Sequence, residues 1–308
     1  MSLDEPLVSV IICTRNRAES LGRTLDSIVV AAGRVRDRWE LIVVDNGSTD
    51  HTSTIASQYA DRLPLRLVAQ PIPGLSNARN AGVSASQGRY VLWTDDDVLV
   101  DENWLSSWTQ AFASGGEAVI FGGRTEPRYL APEQTWFVQS ESVLGSLLAV
   151  RDTPEWRDIS EDRLPWGLNY AIRGAEQRSL PYDPELGVAP GRRRGGEEVA
   201  LMRELLSRGG TGRWVWGATV YHLIPAERQT EQYIRLYYEA DGFDWPNTGA
   251  PRGFTRVRGV LAAVRDIVKT GLGYRKARRR SKTEAVPWLV RNARAWGSLR
   301  RHSGVGRL

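Results

Sequence analysis

The sequence predicts an α/β fold: a Rossmann-like, mostly parallel sheet with helices on both faces, followed by a helical basic tail. Three observations carry that prediction. Continuous apolar runs rich in β-branched residues, VSVIIC (8–13) and WELIVVD (39–45), read as strands buried on both faces. Segments with apolar residues at helical spacing separate such runs. The polar sets TRNR, DNGSTD and TDDD fall at the carboxyl ends of successive strands. Open α/β sheets bind their ligands on that rim.

In order along the chain, TRNRAES leads into a helix in which Leu21, Leu25 and Ile28 recur, with Glu19 or Ser20 near its start. NGSTDHT leads into a second helix through Ile55 and Tyr59. LPLRLVAQ (63–70) is the third strand, GLSNARNAGVSASQG a small-residue helix closed by Gly88, and RYVLW (89–93) the fourth strand. Strands alternating with helices imply parallel pairing. From 126 to 225 the chain is richer in tryptophan and turn residues. There EEVALMRELL reads as a helix ended by Gly209 and Gly210, and WVWGATVYH as a strand.

The 308 residues are 41% hydrophobic and 25% charged, ordinary values for a globular chain. Cys13 is the single cysteine and sits in an apolar run. That leaves a zinc site unsupported, excludes a disulfide framework and suits a reducing compartment. MSLDEP lacks the layout of a signal peptide, and no apolar run approaches the roughly 18 residues of a membrane span. A cytoplasmic protein is the expectation. The net charge of +5 is uneven: residues 251–308 carry 16 basic against 2 acidic residues, the rest 25 against 34.

RYVLWTDDDVLV ends a buried strand in Asp95, Asp96 and Asp97. Three adjacent carboxylates repel unless something positive sits among them. On an extended backbone Asp95 and Asp97 point one way and Asp96 another. Two carboxylates on one side suit a hard divalent cation, Mg²⁺ or Mn²⁺, and a solvated acidic turn is the plain alternative. An EF-hand calcium loop is excluded, because the sharp-turn glycine and the twelfth-position glutamate are missing.

These segments together resemble a family 2 glycosyltransferase of the GT-A fold. VSVIICTRNR is similar to the family's opening strand and nucleotide-binding turn, and LIVVDNGSTD to its VVDDGSTD segment. GLSNARNAGVSASQGRYVLWTDDD, GLNYAIRG and GGEEVALMRELLSRG resemble its later motifs, over about residues 7 to 240. Asn46 departs from the pattern, where an aspartate is frequent, while Asp45 is kept. The resemblance implies inverting transfer of a sugar from a nucleotide-sugar donor, UDP by default with GDP and dTDP open, to an acceptor hydroxyl. Thr14 and Arg17 would border the nucleotide and Asp45 its base. Arg79 would approach base or phosphates, with Asn80 holding the turn. Asp95 would face the ribose or sugar, and Asp96 joins this donor-binding set. Asp97 would ligate the metal on the diphosphate, with Asp95 and His222 as further ligands. Glu198 would be the catalytic base and Glu197 would orient acceptor or donor. Helix charge complementarity alone also favours acids at that position, and Thr14 and Ser48 read equally as helix caps. The implied organisation is a nucleotide-sugar half (1–125), an acceptor and catalytic-base half (126–225) and a basic helical extension (226–308).

Three further features keep two readings each. GRRR (191–194) either clamps a diphosphate or acidic acceptor or is a solvated loop. Trp136 and Trp166 either stack on an acceptor sugar or pack the core. In the tail, Val257, Val260, Leu261, Val264, Ile267 and Val268 recur at helical spacing among arginines, and a second segment carries Trp288, Leu289, Ala293, Trp296 and Leu299. Such helices either meet an anionic membrane surface, where a lipid-linked saccharide acceptor would reside, or pack on the body or on a second subunit. Nucleic acid is not an expected partner. A sugar-phosphate nucleotidylyltransferase would need a glycine-rich loop that TRNRAES lacks. A non-catalytic sugar-nucleotide-binding or membrane-scaffolding protein would have no need of both the aspartate triplet and the glutamate pair.

Overall fold

The structure, a computed structural model, describes residues 5–114, 116–130, 132–193, 195–244 and 253–304. The strands are β1 (Val8–Thr14), β2 (Trp39–Asp45), β3 (Leu65–Ala69), β4 (Tyr90–Asp95), β5 (Val98–Val100), β6 (Ala118–Tyr129), β7 (Asn169–Arg173), β8 (Val188–Ala189), β9 (Arg192–Arg193) and β10 (Thr211–Ile224). The helices are α1 (Ala18–Ala32), α2 (Thr52–Ser57), α3 (Leu75–Ala85), α4 (Trp104–Ala113), α5 (Thr135–Val138), α6 (Glu141–Leu148), α7 (Gly174–Ser179), α8 (Glu197–Ser207), α9 (Glu231–Asp244), α10 (Gly253–Arg278) and α11 (Lys282–Ser303).

Eight strands form one sheet in the order β3-β2-β1-β4-β7-β6-β10-β5. Its first half is parallel, with Thr14 opposite Asp45 and Cys13 opposite Asp95, so TRNR, DNGSTD and TDDD do meet on one rim. β7 then pairs antiparallel with both β4 and β6, and β10 with β5. Both faces are covered, as two-sided apolar strands require. On one face Val8, Val10 and Ile12 of β1 pack with Leu21, Leu25 and Ile28 of α1 and with α4. On the other, Ile11 packs with Ala78 and Val83 of α3 and with Leu201, Met202 and Leu205 of α8. Gly82 allows the α3 approach: a Cβ there would stand 2.6 Å from a methyl of Ile11.

Two details differ from expectation. The second helix ends at Ser57, short of Tyr59, whose hydroxyl instead donates to the Gly22 carbonyl and to Asp26. α1 starts at Ala18, without a cap from Glu19 or Ser20. The amides at its start are met by the loop after β2 and the first residue of α2: Arg17 N–H donates to Thr52 Oγ1 at 2.9 Å and Ala18 N–H to Asp50 at 3.3 Å.

The chain divides into two compact units. One comprises Met1–Pro127, Ala149–Ala189 and Gly196–Leu223; the other comprises Arg128–Leu148, Pro190–Gly195 and Ile224–Leu308. Within the second, α9, α10 and α11 pack together. Ala285, Val286, Leu289, Val290 and Ala293 of α11 are buried, and Asn292 donates to the Ile267 carbonyl and Thr270 hydroxyl of α10, each at 3.0 Å. Arg294 and Arg300 pair with Asp241 and Glu239 of α9 at 2.6 and 2.7 Å. The tail's second segment therefore takes the packing alternative, although Trp296 stays exposed.

Candidate functional site

The rim is built by loops that hold one another. Asn46 N–H donates to the Thr14 carbonyl at 2.9 Å, Asn16 N–H to Ser48 Oγ at 2.9 Å, and Thr49 N–H to Asn16 Oδ1 at 2.7 Å. Ser48 is thus a tie between loops and no helix cap. Asp45 accepts the Ser48 amide at 2.8 Å and the Ser53 hydroxyl. The family departure at Asn46 has a physical reason. Its Nδ2 donates to the carbonyls of Gln70 and Ile72 at 2.9 and 2.8 Å while its Oδ1 accepts the Gly74 amide at 2.8 Å. An ionised aspartate, an acceptor only, cannot make the first two bonds.

At the triplet, strand alternation stops: β4 ends at Asp95 and the chain turns. Asp96 is therefore not turned away from the rim, as an extended chain would have it. It is buried and accepts the Thr14 hydroxyl at 2.7 Å, so Thr14 spends its hydroxyl here instead of capping a helix. The positive group among the carboxylates is Arg17, whose Nη1 lies 2.9 Å from Asp97 and 3.5 Å from Asp96. Burial works against the Arg17 charge, and Asp96 and Asp97 outweigh it and hold the guanidinium above its ordinary value. Burial, with Asp97 beside it, pushes Asp95 up to about 6; burial also pushes Asp96 up to about 7, against the pull of Arg17.

His222 Nε2 lies 3.9 Å from Asp97. Strand pairing explains how a residue so distant in sequence arrives there. β5 follows the triplet directly and runs antiparallel to β10, with His222 opposite Val98 and the Leu223 amide donating to the Asp97 carbonyl at 2.9 Å. Two donors each about 2.1 Å from one ion lie at most about 4 Å apart, so Asp97 and His222 fit a shared hard cation. Among the described residues no group of three or more His, Cys, Asp or Glu is gathered for a metal. Of the expected set of Asp95, Asp97 and His222, Asp97 and His222 stand 3.9 Å apart and Asp95 closes β4 beside them in sequence. An ion held by such a pair takes its other ligands from water or phosphate.

The glutamate pair opens α8 behind Gly196, whose left-handed backbone (φ 91°) turns the chain into the helix. Consecutive helical residues project about 100° apart, and the two carboxylates part accordingly. Glu198 is half-buried, while Glu197 is 3% exposed and lies 3.5 Å from the equally buried Arg79. Burial, then the Glu198 charge, pushes Glu197 up to about 8 against the pull of Arg79. Arg79, the proposed nucleotide contact, is itself buried. It donates to Tyr170 Oη at 2.9 Å and sits 5.4, 5.8 and 5.4 Å from the ring centres of Trp93, Tyr170 and Tyr182. Burial disfavours its charge, but Tyr170, Glu197 and Tyr182 more than compensate and hold it well above its ordinary value. Asn80 bonds both backbone groups of Tyr182, at 2.8 and 2.9 Å, and so steadies one wall of this cage.

Two residues of the GLNYAIRG motif have roles that the sequence alone did not assign. A Cβ on Gly167 would stand 3.0 Å from Arg79 Nη2 and 3.3 Å from Glu198 Oε1, so any side chain there would press on both groups. Asn169 ties the strands around the site, accepting from Trp104 Nε1 at 2.9 Å and donating to the carbonyls of Arg124 and Ala218 at 2.8 Å. Of the two tryptophans singled out, Trp166 donates to the Val150 carbonyl and carries Arg151 over its ring at 4.4 Å. Trp136 belongs to the other compact unit, with Lys282 5.4 Å from its ring. The arginine side chains of GRRR lie outside the described residues.

A half-parallel, eight-stranded sheet with both faces covered and an acidic rim at its strand ends is the architecture of the GT-A glycosyltransferases. Two solved structures share the fold. One is a mannosyltransferase from Pyrobaculum calidifontis in complex with GDP-Man and Mn2+ (TM-score 0.52, 16% identity, 99% of this chain and 77% of that one). The other is S. aureus TarS 1-349 in complex with UDP (TM-score 0.51, 15% identity, 92% and 90%). Residues 9–158 match the model of glycosyl transferase family 2, and this stretch of the chain is a domain of that family. Validoxylamine A glucosyltransferase of Streptomyces hygroscopicus subsp. jinggangensis is 32% identical over 242 residues, 70% of this chain and 56% of that protein. The chain spans about half the length of the first curated relatives it matches.

Proposed function

We propose that this protein is an inverting glycosyltransferase that moves a sugar from a nucleotide-sugar donor to an acceptor hydroxyl. The observation that carries this reading is the gathering of Asp95, Asp96, Asp97, Arg17 and His222 at the strand ends of a family 2 domain. The donor's base lies against Asp45, with Thr14 and Arg17 bordering the nucleotide, and Asp95 and Asp96 line the sugar side. Asp97 and His222 would hold a divalent ion, Mn²⁺ or Mg²⁺, which would supply Lewis acidity for the departing diphosphate.

The reaction needs a base, because an alcohol is a poor nucleophile near neutral pH. Glu198, half-buried where its neighbour is sealed, takes the acceptor proton as the oxygen attacks the anomeric carbon. The bond to the diphosphate breaks on the opposite face, its electron pair leaves with the nucleoside diphosphate, and the anomeric centre inverts. Glu197 and Arg79 do not touch substrate in this scheme; they fix the start of α8 from behind. The first half of the chain serves the donor, the 126–225 segment the acceptor, and 226–308 the membrane side.

UDP-sugar is the default donor, and the UDP and GDP-Man bound in the two structural relatives make both nucleotides worth testing. A saccharide or lipid-linked saccharide is the acceptor class, in cell-surface polysaccharide or glycolipid synthesis. The setting is cytoplasmic, or peripheral at the inner face of the membrane; no described helix is long and apolar enough to cross a bilayer. Thermal unfolding with UDP, GDP, dTDP and their sugars, each with Mn²⁺, Mg²⁺ or EDTA, tests the reading. Metal-dependent stabilisation by one nucleotide, lost in Asp97→Asn, is the expected result. No stabilisation by any of them would overturn it.

A further inference from the structure

α10 carries an apolar stripe that none of the described residues in its own unit covers. Val257, Leu261, Val264, Val268 and Leu272 are 45–66% exposed and recur every three or four residues, so they line one side of the helix for most of its length. The opposite side is already used. Ala263, Thr270 and Ala277 are buried, Asn292 of α11 bonds to Ile267 and Thr270, and Trp288 lies against Gly273. At 100° per residue, the exposed Arg258, Arg265, Lys269 and Lys276 fall in one row along one edge of the stripe. α10 holds seven basic residues and one acid, Asp266, which Arg265 meets at 3.1 Å.

We propose that this face of α10 docks on an anionic lipid bilayer, the stripe entering the boundary of headgroups and acyl chains and the basic row meeting lipid phosphates. Charge complementarity selects that occupant. A second copy of α10 would bring its own excess of positive charge to the row. A nucleic acid would satisfy the row and leave five aliphatic side chains unused. The face is argued from α10 alone; it rests on the glycosyl-transfer reading only for what the bilayer would present, a lipid-linked acceptor.

The full chain is sedimented with vesicles of phosphatidylcholine alone and of phosphatidylcholine with phosphatidylglycerol. Two variants accompany it: Leu261→Ser/Val264→Ser/Val268→Ser on the stripe and Lys269→Gln/Lys276→Gln on the row. All five side chains are exposed, and circular dichroism checks that the fold is kept. Binding to the anionic vesicles only is expected, falling roughly thirtyfold in the lysine variant and roughly a hundredfold in the serine variant. Absence of anionic-vesicle binding overturns the proposal. So does binding untouched by the serine changes, which marks a polyanion site, or a dimer in vesicle-free solution that those changes dissolve. Transfer to a soluble acceptor is measured on the same samples and stays unchanged, so a failure of the activity reading and a failure of the docking face are told apart.

Discussion

At Glu197, burial and the Glu198 charge raise the carboxyl from an ordinary 4.5 to about 8. Between those values the folded protein holds a proton that the unfolded chain has lost. Stability from this group is therefore full below about 4.5 and is lost as pH rises towards 8. In EDTA, the urea midpoint of the native protein should fall more between pH 5 and pH 8 than that of Glu197→Gln; equal slopes would mean that Glu197 is ionised throughout. Glu198→Gln should keep nucleotide-dependent stabilisation while turnover falls by about 10²–10⁴. Unchanged turnover removes Glu198 from its role. Gly167→Ala puts a methyl group against Arg79 and Glu198. A misplacement of about 1 Å costs about a hundredfold in rate, and this crowding is smaller, so kcat should drop by roughly threefold to tenfold with little change in melting temperature, and an unaffected kcat would show that the cage yields freely.

Among the elements, α3 shows two effects in competition. Alanine at Gly82 gains about 1 kcal/mol of helix propensity. Its Cβ would meet Ile11 at 2.6 Å and Val44 at 3.2 Å, both in buried strands, and overpacking of that kind costs about 1–3 kcal/mol. Gly82→Ala should therefore destabilise by roughly 1 kcal/mol in urea unfolding; a stabilised variant would show that α3 can move off the sheet. β1, β2 and β4 could be read from the sequence because strands buried on both faces are apolar throughout, and the rim followed from where they end. In the antiparallel half WVWGATVYH also reads as a strand, but the pairing there could not be read. β7, β6 and β10 pair across long stretches of chain, and periodicity within a segment carries no record of its partner. For the same reason the motif gave Arg79 and Glu198, but not the cage formed by Tyr170, Tyr182 and Trp93. His222 came from family resemblance, and the β5–β10 pairing supplies its cause. α10 and α11 show similar patterns in sequence, and only the fold distinguishes the buried face of α11 from the exposed stripe of α10.

On the scale of the whole molecule, donor binding should appear as stability. A ligand at a hundred times its Kd adds about 2.7 kcal/mol, which for a chain of this size raises the melting temperature by roughly 5 °C. The rise should require Mn²⁺ or Mg²⁺ and vanish in Asp97→Asn; a rise that persists in EDTA would assign nucleotide binding to the protein groups alone. Charge is divided as unevenly as structure: the excess of basic residues lies beyond residue 250, and the residues before it are net acidic.

Cys13 lies on β1 beside Asp95, and burial pushes its thiol well above the ordinary range. The chain has no other sulfhydryl. A single cysteine introduced at the exposed Val264 would therefore react with a maleimide faster than the native thiol. An environment-sensitive fluorophore attached there would report, by its emission colour, whether that position is in water or in hydrocarbon.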